Sequence, residues 1–260
     1  MSRQPAIFVS HGSPTMPLEN SAANDFLRSL GPMLGRPTAI LMVSAHWDTD
    51  RPKVSAAARP ETIHDFYGFP PELYRLRYPA PGAPKLAGRV AELLSANGIA
   101  VDIDPDRGLD HGAWTPLILA YPQADIPVTQ LSIQSRLGPD HHVKLGEALR
   151  PLRDEGVLII ASGGATHNLR ELFSQRGSKS PQPWAEEFNE WLAGALQAHR
   201  TEDLVNYRAQ APQAVRNHPT DEHLIPVFVA LGAGSPGGAT KRLHSSIESG
   251  VISMDAYRFD

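Results

Sequence analysis

Two short apolar runs, Ala6-Ile7-Phe8-Val9 and Ala39-Ile40-Leu41-Met42-Val43, each break into a polar segment that carries a histidine: Ser10-His11-Gly12-Ser13-Pro14 and Ser44-Ala45-His46-Trp47. Unbroken apolar runs of this length suit strands buried on both faces, so both read as parallel strands covered by helices. In open α/β sheets chemistry gathers at the carboxyl ends of the strands. Both histidines stand at such an end.

The alternation continues along the chain. Phe26, Leu27, Leu30, Met33 and Leu34 repeat at helical spacing, and Pro37 closes that segment. Pro84 opens a helix over Leu86, Val90, Leu93 and Leu94, Gly98 ends it, and 99–103 follows as a strand. A strand over 126–133, a helix over 139–154 and a buried strand over 156–164 come next. A helix over 184–198 and another, capped by Thr220 and running over 221–231, complete the pattern. The expectation is α/β: a single domain, residues 1–260, with a mostly parallel central sheet and helices on both faces. Two stretches interrupt it. Residues 59–84 are too proline-rich for a regular element and too aromatic for a solvated linker, and are expected to fold over the active site. Residues 232–240 form a glycine-rich loop.

The 260 residues include eleven histidines and no cysteine, so a metal site must use imidazole or carboxylate ligands, which favours iron, zinc or manganese. A formal charge of −4 without a basic run argues against nucleic acid and against a polybasic membrane surface. No stretch approaches the ~20 apolar residues of a membrane helix, and the first apolar run lacks the features of a signal peptide. A cytoplasmic protein is expected, with assembly as a homo-oligomer left open.

Ten of the eleven histidines divide into two groups. His141, His142, His199 and His244 read as solvated residues of amphipathic helices, whereas His11, His46, His111, His167, His218 and His223 sit beside glycine, proline or a strand end. A lone histidine at a strand end is most often structural. Two at successive parallel strand ends share one crevice, where buried imidazoles without a common partner are costly, and a shared metal answers that cost. His223, in His218-Pro219-Thr220-Asp221-Glu222-His223, is best placed as a third ligand. Glu222 is its rival, although a helix dipole favours an acid there without any metal. His111, in Leu109-Asp110-His111-Gly112-Ala113-Trp114, either touches substrate or fills a turn that Asp110 caps. The glycines of Ser162-Gly163-Gly164-Ala165-Thr166-His167-Asn168-Leu169 lack the Lys-Ser/Thr pair of a phosphate loop, and read as letting the backbone bring His167 close to a ligand. Ser10 and Ser13 lack a nucleophile elbow. Trp47 and Trp114 read as core or pocket wall.

Taken in order, these five segments resemble the class III extradiol ring-cleaving dioxygenases, in the branch of the 4,5-DOPA extradiol dioxygenases. The resemblance implies His11 and His46 as metal ligands, and a third ligand from the last segment. Many members place a glutamate there; this branch places a histidine, here His223. It also implies His167 as an acid/base residue that does not bind the metal, and His111 as a contact of substrate or dioxygen. The implied activity opens a small aromatic diol, a DOPA-like catechol, with O2 to a muconic semialdehyde-type product, using Fe(2+). Phe66, Tyr67, Phe69 and Tyr74 are expected to wall the ring pocket. Three neutral imidazoles also suit Zn(2+), which binds catechol but cannot pass electrons to dioxygen. Two alternatives therefore stay open: a zinc-dependent hydrolase on the same ligands, and a non-catalytic ligand-binding relative.

Overall fold

A computed structural model describes residues 3–174 and 180–260. The strands are β1 (Ala6–Ser10), β2 (Ala39–Asp48), β3 (Lys53–Ser55), β4 (Asp102–Asp104), β5 (Val128–Ile133), β6 (Val157–Gly163), β7 (Thr240–His244), β8 (Ile247–Glu248), β9 (Ile252–Ser253) and β10 (Ala256–Phe259). Eight form one sheet in the order β4-β3-β5-β2-β6-β1-β10-β7, while β8 and β9 pair separately. Its centre, β5-β2-β6-β1, is parallel throughout. The β1–β10 and β10–β7 pairs are antiparallel and close one side. This is the mostly parallel sheet expected.

The central strands are buried along their length because helices cover both faces. Ala6 and Phe8 of β1, Leu41 and Val43 of β2, and Ile159 and Ala161 of β6 face one core. It is packed by helices α2 (Pro84–Ala96), α4 (Gly138–Leu149), α7 (Pro183–Gln197) and α11 (Ile225–Ala233). The alternating residues Ile7, Val9, Ile40, Met42, Leu158 and Ile160 face a second core under α1 (Ala22–Leu34) and α3 (His111–Ala120). Period-two alternation thus sends one continuous apolar run into two cores, as strand geometry requires.

Several boundaries differ from the sequence reading. The helix expected over 139–154 divides into α4 and α5 (Pro151–Asp154), because a proline has no amide hydrogen to continue the ladder and its ring crowds the preceding turn. The strand expected over 99–103 is shorter and displaced by one residue at its end, running Asp102–Asp104. The helix expected from Asp221 begins only at Ile225, where Pro226 occupies the first turn. Asp221 O receives the Leu224 and Ile225 amides, and the Thr220 hydroxyl donates to Glu222 at 2.9 Å instead of capping a helix. The chain between α4 and α11 also holds α6 (Leu169–Ser174) and the short turns α8 (Thr201–Val205), α9 (Tyr207–Gln210) and α10 (Ala214–Asn217). The C-terminal strands had no counterpart in the sequence reading.

Helices α4 and α11 meet through glycines. A Cβ on Gly146 would lie 2.1 Å from Val229 O, and one on Gly232 would lie 2.0 Å from Val143 O. Backbone cannot yield as a side chain can, so Gly146→Ala must separate the two helices and should cost about 1–3 kcal/mol of stability. Urea unfolding checks this; a midpoint equal to wild type would show that the helix pair tolerates the methyl group.

Candidate metal centre

Sheet register assembles the site. His11 directly follows β1, its amide donating to Gly163 O at 3.0 Å across the parallel pair. His46 lies in β2 where the register with β5 shifts between Val43 and Asp48, an irregularity of the kind that redirects a side chain. His223 sits in the turn before α11, pinned because Gly164 N donates to its carbonyl at 2.8 Å. A Cβ on Gly163 would lie 2.1 Å from that same carbonyl, so only glycine lets the turn come this close. The glycines at the end of β6 thus admit the His223 backbone, whereas the sequence reading had them serve His167. His111 opens α3, with Asp110 as its cap: the carboxylate accepts from Ala113 N at 3.2 Å. Gly112 lets that helix end approach, since a Cβ there would stand 2.4 Å from Ser44 Oγ and 3.0 Å from His46 Cδ2.

One ring nitrogen from each of His11, His46 and His223 lies within 4.8 Å of the other two. His11 Nε2 and His46 Nε2 are 2.9 Å apart. Two nitrogens about 2.1 Å from one ion, at roughly a right angle, would show this separation, and three imidazoles are a donor set for either iron or zinc. The residues present fit a divalent ion. The ring of His11 is oriented by Ser162, whose Oγ is 3.0 Å from Nδ1, and that of His223 by Glu222, 3.1 Å from its Nδ1. Such partners on the far nitrogen leave Nε2 for an ion. Glu222 therefore meets the site through His223 in this arrangement, although His167, Glu222 and His223 also form a group within 4.8 Å, as do His46, Asp65 and His111.

His167 stacks on His223, ring centroids 3.4 Å apart and planes 6° from parallel, and its amide donates to Asn217 O. His111 stands 3.9 Å from the His46 ring and 5.4 Å from that of His11. Burial favours the neutral form of His11, His46, His167 and His223. Burial, and then the neighbouring imidazoles, push His11 and His223 well below the ordinary histidine value. Burial takes His46 down to about 3, against an opposing pull from Asp65 and then Glu222, and His167 to about 4, against one from Glu222.

These rings line a cavity of about 470 Å³ that is otherwise mostly apolar, with Phe69, Leu169, Leu172 and Ile252 on its walls. A larger cleft of about 660 Å³ contains none of the histidines and is lined by mixed charges such as Asp48, Arg51 and Arg136, so the smaller cavity is where chemistry can occur. Of the four aromatics expected to wall the pocket, Phe69 does so. Phe66 packs edge-on against His111 at 5.7 Å, Tyr74 packs against Phe66, and Tyr67 is 92% exposed.

Other histidines fall elsewhere. His218 is buried under Phe188 and Tyr207, its Nε2–H donating to Ala165 O at 2.9 Å, and is structural. His142, expected on the surface, is fully buried: Gln134 N donates to Nε2 at 3.0 Å and Nδ1–H donates to Gly138 O at 2.7 Å. Those two backbone partners repay its desolvation. His244 lies in β7, stacked on Phe26, instead of in a helix, and His199 occupies a positive-φ turn beyond α7. Sequence reasoning missed Ser162 and Asp65. The first was within reach, because parallel pairing of β1 with β6 sets Val9 beside Ser162. The second is a lone acid in an irregular segment, without a pattern to mark it.

Metal-free protein should lose stability as pH falls. His46, His142, His167 and His218 have folded values of about 3 to 4, all lowered first by burial. Their neutral forms support folding fully above the unfolded value near 6.5, and that support drains as pH drops toward 4, by at most about 1.4 kcal/mol per unit for each histidine. Urea unfolding of chelator-treated protein at pH 7.5 and 5 should show the lower midpoint at pH 5. Equal midpoints would mean that these rings titrate normally in the fold.

Comparison with known proteins gives a consistent result. Residues 1–259 match the family described as the catalytic LigB subunit of aromatic ring-opening dioxygenase. A Beta vulgaris protein named 4,5-DOPA dioxygenase extradiol is 46% identical over 256 residues, covering 97% of this chain and 95% of its own length. An Escherichia coli K12 protein of the same name is 44% identical over 260 residues, covering 97% and 93%. A crystal structure of an uncharacterized Escherichia coli K12 protein superposes with a TM-score of 0.84 at 38% identity, covering 99% of this chain and all of the other.

Proposed function

The chain belongs to the family of the catalytic LigB subunit of aromatic ring-opening dioxygenases, and we propose that residues 1–260 form one catalytic domain that opens DOPA-like catechols with O2 by extradiol cleavage. The observation that carries this reading is the meeting of three neutral imidazoles, with a fourth stacked on one of them, at the wall of a single cavity. In it His11, His46 and His223 hold the ion, while His167 and His111 act on the substrates. Fe(2+) is the active ion and Zn(2+) an inactive occupant of the same donors. The product is a muconic semialdehyde-type acid. With no helix among the described residues long and apolar enough to cross a membrane, the proposed setting is the cytoplasm.

When bound, a ferrous ion supplies Lewis acidity toward the catechol oxygens and a route for electrons to dioxygen. The remaining work falls to the chain. Burial keeps the His167 imidazole unprotonated near neutral pH, so a ring nitrogen is ready to accept a proton from a catechol hydroxyl and to return it later in the reaction. Stacking against His223 fixes where that nitrogen can be. Phe69, Leu169 and Leu172 give the aromatic ring an apolar seat and displace water, and about 470 Å³ suits a single substituted ring rather than a polycyclic diol.

Ferrous reconstitution without air, followed by catechols in an oxygen electrode, tests the proposal. Uptake of one O2 per catechol is expected with iron and none with zinc. His167→Ala should retain its metal while turnover falls ~10²–10⁴-fold. If iron-loaded protein consumes no oxygen with any catechol, the dioxygenase reading fails; ester hydrolysis by the zinc form would then support the hydrolase alternative.

A further inference from the structure

Asp65 belongs to the proline-rich segment, which is tied to the N-terminal end of α3. Ile63 N donates to Leu109 O at 2.8 Å, and the Trp114 indole N–H donates to Ile63 O at 2.8 Å. The Asp65 carboxylate then divides its oxygens between two groups of one residue. Oδ1 accepts from the His111 backbone amide at 3.0 Å, and Oδ2 accepts from the His111 ring Nδ1 at 3.0 Å. The same Oδ2 lies 3.9 Å from His46 Nδ1, beyond hydrogen-bond reach.

Helix capping does not account for this grip. Asp110 already caps α3, and an extra backbone acceptor would need only one oxygen of Asp65. The second oxygen holds the ring. An ionised carboxylate is acceptor-only, so the imidazole it faces must carry its proton on Nδ1. Although burial pushes the Asp65 carboxyl up, the side-chain and backbone hydrogen bonds from His111 favour its ionised form. His111 is itself buried and is among the residues that line the cavity. With Nδ1 committed to Asp65, Nε2 is the nitrogen left for the cavity.

We propose that Asp65 is a positioning residue for ring cleavage, fixing His111 in the tautomer that presents an unprotonated Nε2 to the bound substrates. The kinetic part of this inference rests on the dioxygenase reading; the tautomer part does not. A cover segment that supplies the partner of a cavity histidine also links formation of the pocket wall to the state of that ring.

Asp65→Asn separates these parts. An amide of the same shape offers one acceptor and one donor to two N–H groups. The backbone amide cannot change, so the ring must: Nδ1 becomes an acceptor and the proton moves to Nε2. Long-range proton–nitrogen spectra of histidine-labelled, zinc-loaded protein, with the His111 signals assigned by their loss in His111→Gln, should show that move while the His11 signals stay in place. With iron, kcat should fall ~10–100-fold at unchanged catechol KM, metal content and melting temperature. The proposal is overturned if the His111 proton stays on Nδ1, if kcat is unchanged, or if lost activity only follows lost metal or lost folded protein. Should wild-type protein cleave no catechol, the dioxygenase reading fails separately, and the spectra still decide whether Asp65 sets the tautomer.

Discussion

Imidazoles packed around one point repel one another when protonated, and the fold buries His11, His46, His167 and His223 where the charged form is disfavoured. Burial alone disfavours the charged form of these four rings, and each protonated ring would raise the cost for its neighbours. The result is a set of neutral nitrogen donors at neutral pH, with His11 Nε2 and His46 Nε2 2.9 Å apart. Neutral imidazole is the form that binds a metal, so burial has already met the cost of deprotonation before an ion arrives. Much of the local backbone follows from that crowding. Gly112 and Gly163 stand where a methyl group would strike Ser44 or the His223 carbonyl, and each removes the obstacle to bringing one more ring to the point.

Crowding of this kind needs a rigid frame, and two fully buried carboxylates brace it from either side. Asp110 receives the Ser44 hydroxyl at 2.7 Å, the Ala113 amide, the Gln130 amide and Arg107, tying β2 and β5 to the start of α3. Asp255 receives Arg242 at 2.6 Å, Tyr257 at 2.7 Å and Ser253 at 2.9 Å, while its carbonyl accepts both the amide and the hydroxyl of Ser10, the residue before His11. A buried carboxylate left half-satisfied would cost several kcal/mol, so each network holds only in one arrangement. The fixed positions of His11 and His46 follow from that requirement.

The sequence disclosed what depends on local pattern. Ala6–Val9 and Ala39–Val43 are apolar on every residue because both sheet faces are covered, and that pattern alone located His11 and His46 at strand ends. For His223 the sequence pattern predicts a first helical turn, but Pro226 sets the start of α11 two residues later and leaves His223 in a turn held by Gly164. His142 shows the opposite failure. Its neighbours are polar enough to suggest a surface helix, yet the ring turns inward to cap Gln134, a contact that only tertiary structure reveals. Strands β7 and β10 were illegible because Lys241, Arg242 and Arg258 interrupt their apolar pattern, as expected of strands outside the fully covered centre of the sheet.

Residues 59–84 explain why composition could reveal a cover but not its chemistry. Prolines and aromatics marked a segment that packs without regular structure, and Phe66 and Phe69 do reach the histidine cluster. No periodicity governs which side chain of such a segment turns inward; that is set by the few backbone bonds that dock it. Here the Ile63 bonds to Leu109 and Trp114 fix the segment two residues before Asp65, which leaves the carboxylate facing both the amide and the ring of His111. The same docking that closes the apolar wall therefore determines the hydrogen-bonding state of an imidazole inside it, so packing and proton placement in this site are one structural decision.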